Sequence, residues 1–268
     1  MNRQHFAHVA HKLCRHFGLD FLRVDTLQRL LASERYADRS RILEDLARVL
    51  ERDGLYFFAS RLAESHSQIL QDLFVLFELQ EKRNGFFVEF GATNGLDLSN
   101  TYLLEKDYGW TGILAEPARF WHEALHKNRT AIIDHRCVWR RSGERIEFKE
   151  SWTPELSGIE RCNRFDYRSR QRDLGGHYPV ETVSLNDLLR EHDAPACIDY
   201  LSVDTEGSEL EILSAFDYSR YQVKVLTVEH NQTQQREKLF ELLSSKGYVR
   251  KLETCSHFDD WYVKQRQD

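Results

Sequence analysis

Three short stretches carry residue types able to do chemistry: "EFGATNG" (89–95), "SVDTEGSE" (202–209) and "VEHN" (228–231). The last two supply Asp204, Glu206, Glu209, Glu229, His230 and Asn231. An imidazole can take a proton from a hydroxyl near neutral pH, and a neighbouring carboxylate can orient it. Carboxylates with an amide oxygen are instead a ligand set for a hard cation such as Mg²⁺. Two mechanisms therefore stand side by side. In one, His230 is the base, oriented by Asp204 or Glu229; in the other, Asp204, Glu229 and Asn231 hold Mg²⁺. The structural alternative is that Glu206 caps the helix read at 208–215 and Glu229 pairs with an arginine.

The elements that must position these groups follow from hydrophobic spacing. Short apolar runs at 86–90, 111–116, 130–134, 197–204 and 223–229 alternate with helical patterns at 98–107, 118–127, 208–215 and 233–246. Such alternation predicts a parallel sheet with helices on both faces. Two further runs, "GYVRKLE" (247–253) and "DDWYVK" (259–264), have no helix between them and predict an antiparallel pair at the sheet's edge. Residues 1–80 read as a helical extension: Ile42, Leu46, Val49 and Leu50, then Ile69, Leu70, Leu73, Phe74 and Phe77, recur at helical spacing. His5, His8, His11 and His16 near the start read as a polar helix face, because no carboxylate or thiol completes a metal set.

In such a sheet, ligands bind beyond the carboxyl ends of the strands. Gly91 and Gly95 sit there and let the backbone turn and approach a ligand closely. The spacing is not the G-x-G-x-x-G of a dinucleotide site. Glu116 ends the next strand, 21 residues beyond Gly95 (116 − 95), where a carboxylate accepts from ribose hydroxyls. Glu89, behind the glycine turn, suits a ligand's ammonium group. An adenosine bearing a cation meets these demands, and S-adenosylmethionine is such a molecule.

Residues 150–180 lack periodicity and carry Arg161, Arg164, Arg168, Arg170 and Arg172 with Phe165 and Tyr167. They read as a substrate-side loop able to hold a phosphate or acidic sugar, or else as a solvated connection.

The motifs "FVEFGATNG", "ILAEP", "ETVSLNDLL", "IDYLSVDTEGSELEIL" and "VLTVEHN" occur in order. Together they resemble the FkbM-type S-adenosylmethionine-dependent methyltransferases, over roughly residues 65–264. The usual aspartate of the glycine motif is Glu89 here. The resemblance implies a class I methyltransferase fold: a Rossmann-like, mostly parallel seven-stranded α/β sheet with an antiparallel edge strand, as a domain over 81–268. It implies cofactor contacts at Glu89, Gly91, Ala92, Asn94, Gly95 and Glu116, with Ser99, Asn100 and Thr101 near the cofactor's carboxylate and Cys137 and Val138 near the adenine. It also makes the strands ending at Asp204 and Glu229 neighbours, so that their ends converge on the transferred methyl. The implied reaction is methylation of a hydroxyl on a small substrate such as a sugar, glycan or glycolipid. A nicotinamide-dependent oxidoreductase and a non-catalytic binding protein of the same fold are the alternatives. Residues 1–64 fall outside the resemblance; a homodimer interface, a partner site and a cap are three roles open to them.

The totals bound these readings. The 268 residues carry a formal net charge of -6 and a sequence pI of about 6.1, which argues against nonspecific nucleic-acid binding as the main task. Five scattered cysteines without a CxxC pair fit reduced thiols in a cytoplasmic protein. The first residues lack the apolar core of a signal peptide, and no apolar run is long enough for a membrane span.

Overall fold

The structure is a computed structural model that describes residues 37–150, 158–159 and 176–265. The described residues open with helices α1 (Ala37–Val49), α2 (Arg52–Arg61) and α3 (Gln71–Glu78). It then alternates as read: β1 (Phe86–Phe90), α4 (Tyr102–Tyr108), β2 (Thr111–Ala115), α5 (His122–Asn128) and β3 (Ile132–Asp134). Next come β4 (Cys137–Trp139), β5 (Arg145–Lys149), β6 (Gly158–Ile159), β7 (His177–Ser184) and α6 (Leu185–Glu191). The chain closes through β8 (Cys197–Val203), α7 (Glu209–Ser214), β9 (Gln222–Glu229), α8 (Gln235–Ser245), β10 (Tyr248–Lys251) and β11 (Asp259–Lys264).

Seven strands form one sheet in the order β3-β2-β1-β8-β9-β11-β10. Strands β3, β2, β1, β8 and β9 pair in parallel, and β11 runs antiparallel to both β9 and β10. The antiparallel pair read at the sheet's edge is thus β10–β11, with β11 one place in from the rim. The order steps outward in both directions from the gap between β1 and β8. The loops after these two strands therefore diverge and leave a crevice at their carboxyl ends.

Both faces of the sheet are covered. On one face Phe87 of β1 and Trp261 of β11 share a core with Ile42, Leu46, Phe58, Leu73 and Phe74 of the N-terminal helices. The rings of Phe74 and Trp261 stack at 4.7 Å. On the other face Val88 and Phe90 pack with Leu188, Leu189, Ile212, Leu239 and Leu243 of α6, α7 and α8. The two-residue alternation of β1 thus feeds two cores, which is why its sequence reads as one apolar run. Helices α1–α3 form one layer of this sandwich, because the face of β9 and β11 they cover would otherwise be wet.

A second sheet, β4-β7-β5-β6, was not expected from the sequence. It takes in 158–159 and 177–180, inside the segment read as irregular. Arg161, Arg164 and Arg168 lie outside the described residues, as do the four N-terminal histidines. No helix among the described residues is long and apolar enough to cross a membrane.

Candidate active site

The glycine turn follows β1. Gly91 and Gly95 have φ of +71° and +73°. A Cβ on Gly91 would lie 2.2 Å from the backbone oxygen of Asp204, and one on Gly95 would lie 2.6 Å from the Arg129 side chain. Asn94 holds the turn itself: its Oδ1 accepts from the N–H of Leu96 and Asp97 at 2.9 and 2.8 Å. Ala92 is buried between them.

Glu116 ends β2 beside this turn. Its carboxylate accepts from the N–H of Thr93 at 2.7 Å and of Ala118 at 2.8 Å. Burial pushes its carboxyl up to about 7, against the pull of those two amides and with help from Asp204 and Glu150. The carboxylate thus lies against the glycine turn.

Glu89 is held by residues of its own chain. Its oxygens accept from Ser99 Oγ, the Asn100 N–H at 2.7 Å and Thr101 Oγ1, and lie 3.5 Å from Arg129. These partners make the carboxylate an anchor for the loop after the turn. The helix read from residue 98 starts at Tyr102 for the same reason. Ser99 Oγ accepts from the N–H of Thr101 and Tyr102, at 3.3 and 3.2 Å, and Asn100 Nδ2 donates to Ser202 Oγ at 2.9 Å. Ser99, Asn100 and Thr101 are buried; their polar groups serve this internal network except Asn100 Oδ1, which has no hydrogen-bond partner among the described residues.

The centre of that network is Arg129, which the sequence did not single out. Its guanidinium is fully buried and donates to Glu105 at 2.8 Å, Ser99 Oγ at 3.1 Å, Thr101 Oγ1 at 2.8 Å and the Gly95 carbonyl at 3.3 Å. One arginine between helix and strand carries no local signal, and only the tertiary contact gives it meaning.

Cys137 and Val138 are buried in β4, paired with Thr182 and Val183 of β7.

The ends of β8 and β9 meet as neighbours. Ligand oxygens of Asp204, Glu206 and Glu229 lie within 4.8 Å of one another. Asn231 joins them through Nδ2, 3.4 Å from Glu206 Oε2. A cleft of about 490 Å³ opens beside the group, lined in part by Glu206, Glu209, Glu229, His230 and Asn231. Glu209 Oε1 accepts from the N–H of Thr205 and of Gly207 at 3.0 Å each, in the loop ahead of α7, whose N-cap Ser208 makes no side-chain cap bond. Burial drives the Glu229 carboxyl well above its usual range, and the charges of Asp204, Glu206, Glu209 and Asp259 push the same way.

His230 turns away from this cluster. Its Nδ1 accepts the Gln232 N–H at 3.1 Å, and its Nε2 faces Asp260 at 3.7 Å. Glu229 pairs in register with Asp259, so those two share a face of the sheet and Asp260 lies on the other. Burial lowers the imidazole's pKa, with Asp260 opposing and Arg236 adding to the fall. The ring is a neutral, inward-facing group.

The sheet order, the glycine turn at the crevice and the acids at the ends of β8 and β9 define a class I methyltransferase fold. Residues 89–262 match the Methyltransferase FkbM domain, and the chain belongs to that family. No curated protein matches the sequence. Among solved structures, the chain is similar to precorrin-6y C5,15-methyltransferase from Geobacter metallireducens GS-15, with TM-score 0.37 and 14% identity over 67% of this chain and 71% of that one. It is also similar to a fibrillarin/Nop5p complex, with TM-score 0.36 and 11% identity over 75% and 81%. A third similar structure is the CurJ carbon methyltransferase, with TM-score 0.36 and 13% identity over 92% and 72%.

Proposed function

We propose that the protein transfers the methyl group of S-adenosylmethionine to a hydroxyl of a small polyhydroxylated acceptor, a sugar or glycan. The observation that carries this reading is the contact between Gly91 and Asp204: the turn that would seat the cofactor abuts the acid cluster. A ligand lying across Gly91 and Gly95 with its ribose toward Glu116 would extend its other end toward β8 and β9. An alcohol is a weak nucleophile at neutral pH and must give up its proton as the methyl arrives. Asp204 and Glu229, when ionised, are the groups that can draw off that proton; with Asn231 they would hold a Mg²⁺, which would make the hydroxyl more acidic. The acids favour an oxygen acceptor, because a carbon acceptor would need an acidic C–H for the same arrangement to act upon. Arg161, Arg164 and Arg168 are proposed to hold an anionic part of the acceptor, by the chemistry of the arginine fork alone.

The test is methyl transfer from radiolabelled S-adenosylmethionine to a panel of nucleotide sugars and glycolipids, with product analysis for O-methyl sugar. Label on an oxygen of one acceptor class supports the reading. Label on carbon or nitrogen, or none on any panel member, would overturn the acceptor assignment. Calorimetry with S-adenosylhomocysteine checks cofactor use separately.

A further inference from the structure

The group at the ends of β8 and β9 has the composition and spacing of a cation site. Three carboxylates each place an oxygen within 4.8 Å of the other two. For any three points so spaced, some position lies within roughly 2.8 Å of all of them, close to the ~2.3–2.6 Å of calcium–oxygen bonds. Magnesium, at ~2.0–2.1 Å, would need the side chains to close by some tenths of an ångström.

Two further atoms point to a ligand. Glu229 Oε2 and Asn231 Oδ1 are buried with no hydrogen-bond partner, on residues 4% and 7% exposed. Folded proteins rarely leave such atoms unpaired, because each forfeits its hydration for nothing. Asn231 reaches Glu206 through Nδ2, so its amide already lies against the cluster and its oxygen can turn into it. A cation would satisfy both orphan oxygens. Glu206, for which a helix cap was the structural alternative in the sequence, becomes a ligand in this arrangement.

We infer that Asp204, Glu206, Glu229 and Asn231 bind one divalent cation of the calcium, manganese or magnesium class through oxygen alone. Cysteine and histidine are not in the set: the clustered ligand atoms are carboxylate oxygens, and His230 Nε2 faces Asp260 at 3.7 Å. Hard, oxygen-loving ions are therefore favoured over zinc or copper. The inference rests on the proposed function only for its purpose, to make the acceptor hydroxyl more acidic; binding itself stands apart from turnover.

The experiment uses the full chain, stripped with EDTA and desalted, titrated with Mn²⁺ and followed by paramagnetic resonance, without any methyl donor. One Mn²⁺ per chain is expected, displaced by excess Mg²⁺ or Ca²⁺. Glu206→Gln and Asn231→Ala are each expected to weaken it by about 10–100-fold. Thermal melts of the stripped proteins establish that the variants fold. Absence of bound Mn²⁺, or affinity unchanged in both folded variants, overturns the site. Label transfer is then measured on the same stripped and reloaded samples. Mn²⁺ binding without methyl transfer to any acceptor would count against the proposed function and leave the site standing. Undiminished transfer in a stripped sample that binds no Mn²⁺ would do the reverse.

Discussion

Gly91 and Asp204 touch across the boundary between two strands. A Cβ on Gly91 would come within 2.2 Å of the Asp204 carbonyl oxygen, at a φ of +71°. A turn on β1 and an acid at the end of β8 are thereby held at a fixed separation. Gly91→Ala must move one of them and also adopt a left-handed backbone. The expected cost is roughly 1–3 kcal/mol of stability, with S-adenosylhomocysteine affinity falling at least about tenfold. A melt and a calorimetric titration measure both. An alanine variant with wild-type affinity would show that the turn does not seat the cofactor.

Arg129 is expected to matter more to folding than any residue of the glycine motif. It is the buried cation shared by Glu89 and Glu105. Burial opposes ionisation of Glu105, but Arg129, Lys106 and the Thr130 N–H outweigh it and hold the carboxyl at about 2. Arg129→Met leaves two buried acids without that partner, and the expected loss is about 3–5 kcal/mol. In the wild type the stability contributed through Glu105 is present above about 4.5 and is lost as pH falls toward about 2. The variant should lose that acid limb. Urea midpoints from pH 2.5 to 6 provide the comparison, and parallel curves for the two proteins would contradict it.

Much of the fold was readable in advance, for a definite reason. Parallel strands buried on both faces, such as "FFVEF" and "CIDYLSV", leave unbroken apolar runs that helical periodicity then separates. The second sheet was missed because β5, "RIEFK", and the start of β7, "HYPV", carry charges and a proline on exposed positions and resemble a loop. Positions of acids at strand ends were readable; their partners were not. Glu89 looked free because Ser99, Thr101 and above all Arg129 reach it only in three dimensions. His230 beside Glu229 suggested cooperation, yet adjacent residues at a strand end point to opposite faces.

Glu116 should make both stability and binding depend on pH near neutrality. Its folded carboxyl titrates at about 7, raised chiefly by burial, and Glu229 and Asp259 are raised as well, also chiefly by burial. The folded chain keeps the Glu116 proton where the unfolded chain releases it, so the share of stability tied to Glu116 falls as pH rises from about 4.5 to about 7, and Glu229 and Asp259 act in the same direction. Ribose hydroxyls bind the ionised carboxylate better, so S-adenosylhomocysteine affinity should climb as pH passes through about 7. Glu116→Gln should flatten that climb and lower affinity at pH 8 by roughly 1–3 kcal/mol. Affinity that ignores pH from 6 to 8 in the wild type would remove Glu116 from the ribose.

The last expectation concerns the proton. His230 has one nitrogen accepting the Gln232 N–H and the other facing Asp260, which Arg236 and Arg250 already neutralise. To act as a base it would have to give up the Gln232 contact and swing through a packed strand end to the face bearing Glu229 and Asp259. Asp204 and Glu229 need no such movement. Asp204→Asn and Glu229→Gln are therefore expected to lose about 10²–10⁴-fold in kcat, the usual worth of a group that handles a proton in the transition state. His230→Ala should cost less than about tenfold once melts show it folded. If His230→Ala instead matched the acid variants while binding S-adenosylhomocysteine normally, the ring would have to turn during catalysis and the acids would serve only to orient it.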